Sequence, residues 1–272
     1  MALPHIPLID THVHLDVEAF APDRDAVLQR ARNSGVVAQV LPAITRNHWP
    51  GLADLVDANA DLYPAYGLHP VFLGTHVDGD LDWLDQWLAR HSAVAVGEIG
   101  LDGFIEDLAT GAPWDRQWHL FNAQLDIALN HRKPVILHAR RALDHVLKAL
   151  RTRPALTGII HSFSGSRQQA DQALEQGFCL GFGGPVTYAR ANRLRRLVAE
   201  LPAEALVLET DAPDQPLATH RGERNEPAYL PEVAACVAEL RGVTVAEIAA
   251  ITGANARRIL NLDLPEPARA CR

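Results

Sequence analysis

KPVILHA (133–139) is apolar on both parities through Val135, Ile136 and Leu137, and then stops at His138. A strand buried on both faces belongs to a parallel sheet covered by helices. Seven further runs share the pattern: PLIDTHVH (7–14), VVAQVLPA (36–43), LYPAYGLHP (62–70), AVAVGEIG (93–100), TGIIHSF (157–163), FCLGFGG (178–184) and ALVLETDAP (205–213). Helical patterns lie between them. DRDAVLQRARNSG (23–35) and SRQQADQALEQG (166–177) both run to a glycine suited to the C′ position. WDRQWHLFNAQLDIALNHR (114–132) puts Trp118, Phe121, Leu125 and Ala128 on one stripe. DWLDQWLARH (82–91) predicts a face of Trp83, Trp87 and Ala89. Strands alternating with helices in this way predict a (β/α)8 TIM barrel, with a doubly wound open sheet as the alternative. Extra C-terminal helices are expected at 230–241, 244–252 and 254–260.

The 272 residues are 48% apolar and 21% charged, which suits one barrel-sized domain with a large core. No linker or low-complexity tract interrupts the chain, so 1–272 reads as a single domain. The formal net charge of −8 excludes a broad, non-specific coat on nucleic acid or membrane. Cys179, Cys236 and Cys271 are far apart and lack CxxC spacing. A disulfide framework or thiolate zinc site is therefore not expected, and a reducing cytoplasm fits. No apolar run approaches the ~20 residues of a membrane span. MALPHIPLID lacks a basic n-region, so no signal peptide is expected. No heptad or unusually apolar exposed helix stands out, and a monomer is the default expectation.

The polar residues at the strand ends carry the chemistry. His12 and His14, two apart on the first strand, project to one side and can chelate one divalent ion. Glu98, His138, His161 and Asp211 end the fourth, fifth, sixth and eighth predicted strands. In a barrel these ends converge on one rim. A lone histidine at a strand end is more often a hydrogen-bonded core residue, but six metal-compatible groups on one rim are not what core packing requires. Imidazoles with carboxylates and no thiolate suit Zn, Mn, Fe or Ni, while phosphodiester chemistry often runs on Mg. Six ligands exceed one tetrahedral ion and point to two divalent metal ions. Glu98 is placed to bridge them, and a hydroxide held between them is the expected nucleophile. Asp211 is placed to take its proton. Glu209 falls one layer deeper and reads as an orienter of a ligand.

At these residues the chain resembles the TatD family of metal-dependent hydrolases, within the amidohydrolase-like barrel superfamily. The matching stretches are DTHVHLD (10–16), GLHP (67–70), VGEIGLD (96–102), VILHARRA (135–142), IHSFSGS (160–166) and LETDAP (208–213). RNEPAYLP (224–231) and TGANARRI (252–259) resemble the family's C-terminal segments. The resemblance implies metal ligation by His12, His14, His138, His161 and Asp211, with Glu98 as the bridging acid and Asp211 positioning the attacking water. Arg141 stands where the family often has Asp, and Val71 where it often has a second His. LHxRR (137–141) with the FSGS and LETDAPDQPL stretches resembles the family's YjjV-like branch.

The resemblance implies a phosphodiesterase acting on DNA, of the 3′-end exonuclease type, and makes DNA strand ends or another small phosphoester or ester the expected partner. The alternative is an amide or ester hydrolase on the same dinuclear site, including deacylation of aminoacyl-tRNA. A non-catalytic binding protein on the same barrel is disfavoured by the intact ligand set. His69 is a candidate to contact phosphate or protonate the leaving oxygen; otherwise it shapes the loop before Pro70. Arg140 is a candidate phosphate binder or a surface salt bridge. With Arg141, Arg167, Arg190, Arg221 and Arg224 it forms an expected cationic rim, which favours a phosphate substrate. Phe104, Phe163 and Tyr188 are the candidates for base stacking. Two bound divalent ions would make the mouth positive despite the acidic chain, and so predict short engagement of a strand end.

Overall fold

Eight strands run parallel in the order of the sequence: β1 (Leu8–Asp10), β2 (Val36–Pro42), β3 (Leu62–Tyr66), β4 (Ala95–Asp102), β5 (Val135–Arg140), β6 (Gly158–Ile160), β7 (Phe178–Phe182) and β8 (Leu206–Leu208). The computed structural model describes residues 6–264. Cys271 and the first five residues of MALPHIPLID lie outside the described residues. The barrel alternative is the one realised, because the edges of β1 and β8 meet. Thr11 N–H donates to the Leu208 carbonyl (3.0 Å), Asp211 N–H to His12 (2.9 Å) and His14 N–H to Ala212 (2.9 Å). An open doubly wound sheet would leave these groups on a free edge.

Two apolar cores follow from strands buried on both faces. The inner one fills the barrel with Ile9, Ala38, Val40, Ala65, Ala95, Ile136, Ile159, Cys179 and Val207, so every strand contributes. The outer one lies between strands and helices and takes the alternate residues, among them Leu8, Leu41, Val96, Leu137, Ile160 and Leu206. The helices around it are α1 (Arg24–Asn33), α2 (Trp49–Asp57), α3 (Gly79–Leu88), α4 (Gly111–Asn130), α5 (Leu143–Arg151), α6 (Arg167–Glu175), α7 (Asn192–Glu200), α8 (Leu230–Arg241) and α9 (Val245–Leu260).

The structure corrects several local expectations. The helices expected at 244–252 and 254–260 are one continuous helix, α9. Its N-terminus is held by a Thr244–Glu247 capping box, and Gly253 near its middle does not break it. Ala256, Ile259 and Leu260 on α9 join the inner core, so this helix plugs the barrel at the end remote from the site. That packing outweighs the ~1 kcal/mol helix cost of a glycine. In α3 the buried face is Leu84 and Leu88, whereas Trp83 is 48% exposed and carries Arg46 over its ring. Of the face expected from Trp83, Trp87 and Ala89, Trp87 packs against the outer core and Trp83 does not. Most strands also end earlier than expected, and β4 runs later, to Asp102. Glu98 therefore lies within β4, while His12, His14, His69, His161 and Asp211 lie just past the ends of their strands.

On α4, Gln117 and Gln124 fall seven apart on the buried stripe. Each acts as a substitute peptide group for a strand end. Gln117 accepts from Asp102 N–H (2.7 Å) and donates back to its carbonyl (3.1 Å). Gln124 does the same for Leu68 at 2.7 and 3.3 Å. The chain leaving β3 and β4 is thereby fixed where the site residues begin.

Candidate active site

Glu98 stands at the centre of the C-terminal mouth, 1% exposed, with its two oxygens facing different histidines. Oε2 faces His12 Nε2 (3.1 Å) and His14 Nε2 (3.5 Å). Oε1 faces His138 Nδ1 (2.8 Å), His161 Nε2 (2.8 Å) and His69 Nε2 (3.0 Å). Asp211 Oδ1 joins the first set, 3.5 Å from His12 Nε2 and 3.7 Å from His14 Nε2. All six metal-ligand candidates named from the sequence thus meet, in two groups that share Glu98.

The donor set fits divalent ions. Four ligands about 2.0–2.1 Å from a tetrahedral ion stand about 3.3 Å apart. The separations among His12, His14, Glu98 and Asp211 fall around that value. Oε2 of Glu98 is buried without a hydrogen-bond partner, as a metal-facing oxygen would be. The electrostatics agree. Burial raises the Glu98 carboxyl, but His161, His69 and His12 more than reverse this and hold it well below the ordinary value. Burial depresses His14 and His161, yet Glu98, helped by Asp211 and one further carboxylate for each ring, outweighs it and raises them to about 9 and about 10. The pocket thus draws positive charge, as protons or as cations.

Each of two histidines is oriented from behind. His14 Nδ1 bonds the Pro42 carbonyl (3.1 Å), which leaves Nε2 free to ligate. His138 is turned the other way: Nε2 bonds Asp102 Oδ2 (2.9 Å) and Nδ1 faces Glu98. Asp102 is itself held by Phe104 and Ile105 N–H on its other oxygen. Burial raises its carboxyl, and the His138 bond with those amides brings it down to about 2. Asp102 closes VGEIGLD, yet nothing in the sequence marks it as a site residue; spacing alone does not reveal a partner on a neighbouring strand. Asp102→Asn would present an N–H to the His138 Nε2–H and force the wrong tautomer. Affinity for ions held by His138 is expected to fall about 10–100-fold. Calorimetric titration with zinc checks it; unchanged affinity would show that His138 is not a ligand.

His69 differs from the others. Its Nδ1 accepts the Val71 N–H (3.1 Å), so the neutral ring carries its proton on Nε2, aimed at Glu98. That tautomer donates a hydrogen bond and does not ligate. Burial lowers this imidazole to about 4, so it is neutral near pH 7. His69 lies past β3 in a loop, as a donor into the site and beside the ligand set.

Asp211, Ser162, Gln215 and Arg141 have positive φ between 46 and 57°, uncommon for residues other than glycine. Such conformations cost about 1–3 kcal/mol each and persist where surroundings enforce them. Here the enforcement is visible. Gln215 donates to Asp211 Oδ2 and exchanges bonds with Ser162 Oγ. Asn225, from the RNEPAYLP stretch, donates to the Thr210 (2.8 Å) and Asp214 (2.9 Å) carbonyls.

The mouth opens into a cavity of about 810 Å³ whose lining includes Val17, Ile44, Val71, Phe72, Pro213 and Arg140. Arg140 sits over Phe104, with Cζ 3.6 Å from the ring centroid. The expected ring of six arginines is not what the structure presents at this cavity. Only Arg140 of the six is among its lining residues. Arg167 is paired with Asp171 and Arg224 with Asp23, each at 2.8 Å. Carboxylates nearby in the fold neutralise them, which a count of arginines does not show. Phe163 is 2% exposed and so is no stacking platform; Phe72, 40% exposed at the cavity wall, is the aromatic that no sequence pattern points to.

The fold and the site together define a barrel hydrolase with a histidine–carboxylate centre. A family model described as "TatD related DNase" matches residues 9–261, and the chain belongs to the TatD family. It is 42% identical over 244 residues to the uncharacterized metal-dependent hydrolase YjjV of Escherichia coli K12, covering 89% of this chain and 93% of that one. The crystal structure of the E. coli YjjV protein superposes with a TM-score of 0.89 at 40% identity, over 94% of this chain and 98% of that one. A protein of Erwinia tasmaniensis named 3′-5′ ssDNA/RNA exonuclease TatD is 33% identical, over 94% of this chain and all (100%) of its own. The protein is accordingly a hydrolytic enzyme. No helix among the described residues is long and apolar enough to cross a membrane.

Proposed function

We propose that the protein hydrolyses phosphodiester bonds at the ends of nucleic-acid strands, at a centre whose histidines and carboxylates would hold two divalent ions. The observation that carries this reading is the division of the two Glu98 oxygens between His12 with His14 and His138 with His161. His12, His14, Glu98 and Asp211 would hold one ion; Glu98, His138 and His161 the other. Bound ions supply Lewis acidity and lower the pKa of water toward neutrality.

The chain's own groups do the rest. Asp211 has one oxygen among the ligands and the other tied to Gln215, so its carboxylate is fixed to orient a water and accept its proton. His69 Nε2–H is aimed into the same space and donates to an oxygen of the substrate. Its neutrality favours hydrogen bonding over delivery of a full proton. Arg140, braced on Phe104, is placed to take an anionic oxygen away from the reacting centre. One lining arginine suits a short strand end better than a long duplex, which needs many phosphate contacts. The similarity to the Erwinia tasmaniensis exonuclease supports the same substrate class.

The test is a side-by-side assay of 3′-labelled single-stranded DNA, an ester panel and aminoacyl-tRNA, each with Mg, Mn and Zn. Stepwise loss of the 3′ label, abolished by chelation, is expected. Cleavage of esters or aminoacyl-tRNA with DNA untouched under every metal overturns the phosphodiester reading. His69→Ala is expected to lower kcat by about 10²–10³-fold, the usual cost of losing one transition-state donor. Unchanged kcat would return His69 to a loop-shaping role.

A further inference from the structure

Behind the site, three buried polar atoms have no hydrogen-bond partner: His12 Nδ1, His161 Nδ1 and Glu209 Oε2. Ligand atoms of these same residues lie within 4.8 Å of one another. The two rings are stacked, with centroids 3.9 Å apart and planes 14° from parallel. Both turn Nε2 toward Glu98, so both turn Nδ1 away from it. A ligating histidine nearly always gives its other N–H to an acceptor that fixes the tautomer. Pro42 does this for His14, and Asp102 for His138. His12 and His161 need the same service, and Glu209 is the acceptor at hand.

Glu209 is seated for it. The carboxylate is 1% exposed, and Oε1 is anchored by the Ser162 N–H. β7 carries glycine at the position facing it: a Cβ on Gly181 would collide with Glu209 Oε2. The nearest approach to His161 Nδ1 is 3.9 Å, too long for a direct hydrogen bond. A 3.9 Å gap between His161 Nδ1 and Glu209 Oε1 leaves room for one water about 2.8 Å from each, and His12 Nδ1, unpartnered on the ring stacked against His161, offers it a third polar contact.

We infer that Glu209 is a positioning residue shared by His12 and His161: through one buried water it holds both rings as Nδ1–H tautomers, with Nε2 turned to the metal-binding side. One carboxylate thus sets a ligand in each half of the centre. This rests on the reading of His12 and His161 as metal ligands.

The experiment uses zinc as the probe and needs no substrate. Wild type, Glu209→Gln and Glu209→Ala are titrated calorimetrically, and the ring Nδ1 protons of the zinc-loaded forms are followed by NMR. The near-isosteric Gln cannot serve Ser162 and the water together without aiming its own N–H at a donor. Zinc affinity is expected to fall at least about 10-fold in both variants, with loss of the slowly exchanging His12 and His161 Nδ1 protons. A purely structural role would lower thermal stability and leave those protons in place. Glu209→Gln with wild-type affinity and both protons retained overturns the inference while leaving the proposed function intact. A wild-type protein that takes up no zinc overturns both.

Discussion

Glu98→Gln is expected to abolish hydrolysis, at least about 10³-fold, the scale seen when one member of a set that acts as a unit is removed. Five imidazole nitrogens face this carboxylate, two on Oε2 and three on Oε1. An amide has one acceptor oxygen, and its NH2 turns donors toward ligand positions. Whichever way the substituted amide flips, one half of the centre loses its oxygen. Elemental analysis should therefore find no more than about one divalent ion per chain, against about two in the wild type. The fold should survive, because His14 and His138 keep their rear partners and the apolar cores are untouched. A variant that retains two ions and turns over would show that Glu98 is not the bridge.

Asp10→Ala should be the most destabilising single change in the site region. Asp10 is completely buried, and Oδ1 accepts from His12 N–H (3.2 Å) and Thr210 N–H (3.0 Å), while Oδ2 accepts from Thr210 Oγ1 (2.6 Å). It pins the end of β1 to the end of β8, the seam where the barrel closes. Truncation strands three buried donors at about 1–3 kcal/mol apiece, and partial relief by water leaves a loss of about 3–5 kcal/mol. That is a large share of a typical domain stability of about 5–15 kcal/mol. Urea unfolding should show a lower midpoint at unchanged m. His12 and Asp211 sit on the two chain segments Asp10 joins, so ion affinity should fall with stability. A stability within about 0.5 kcal/mol of wild type, as at an ordinary surface position, would mean that the other seam bonds suffice.

The architecture and the candidate ligand set were legible in the sequence for a local reason. Each candidate ligand lies beside its own apolar run, and a barrel brings every strand end to one rim regardless of loop detail. His12 with His14, His138, His161 and Asp211 could each be found from a few neighbouring residues. Element boundaries were less legible. Glu98 sits inside β4 because β4 continues through Asp102, held there by Gln117 from α4. α9 is continuous through Gly253 because the inner core rests on it.

By itself the sequence determined the parallel strand–helix alternation, the histidines and carboxylates at the strand ends and the family, since apolar periodicity and strand-end polarity are written in consecutive residues. Only the tertiary structure decided which groups serve which. It divided the two oxygens of Glu98 between two sets of histidines. It gave His138 to Asp102, set Glu209 behind His12 and His161, and made His69 a donor through the Val71 amide. Of the six candidate rim arginines it left Arg140 lining the cavity and gave Arg167 and Arg224 to carboxylates of their own. The reason is physical: a buried polar group takes its character from partners within about 3 Å, and for most of these residues those partners come from distant stretches of the chain.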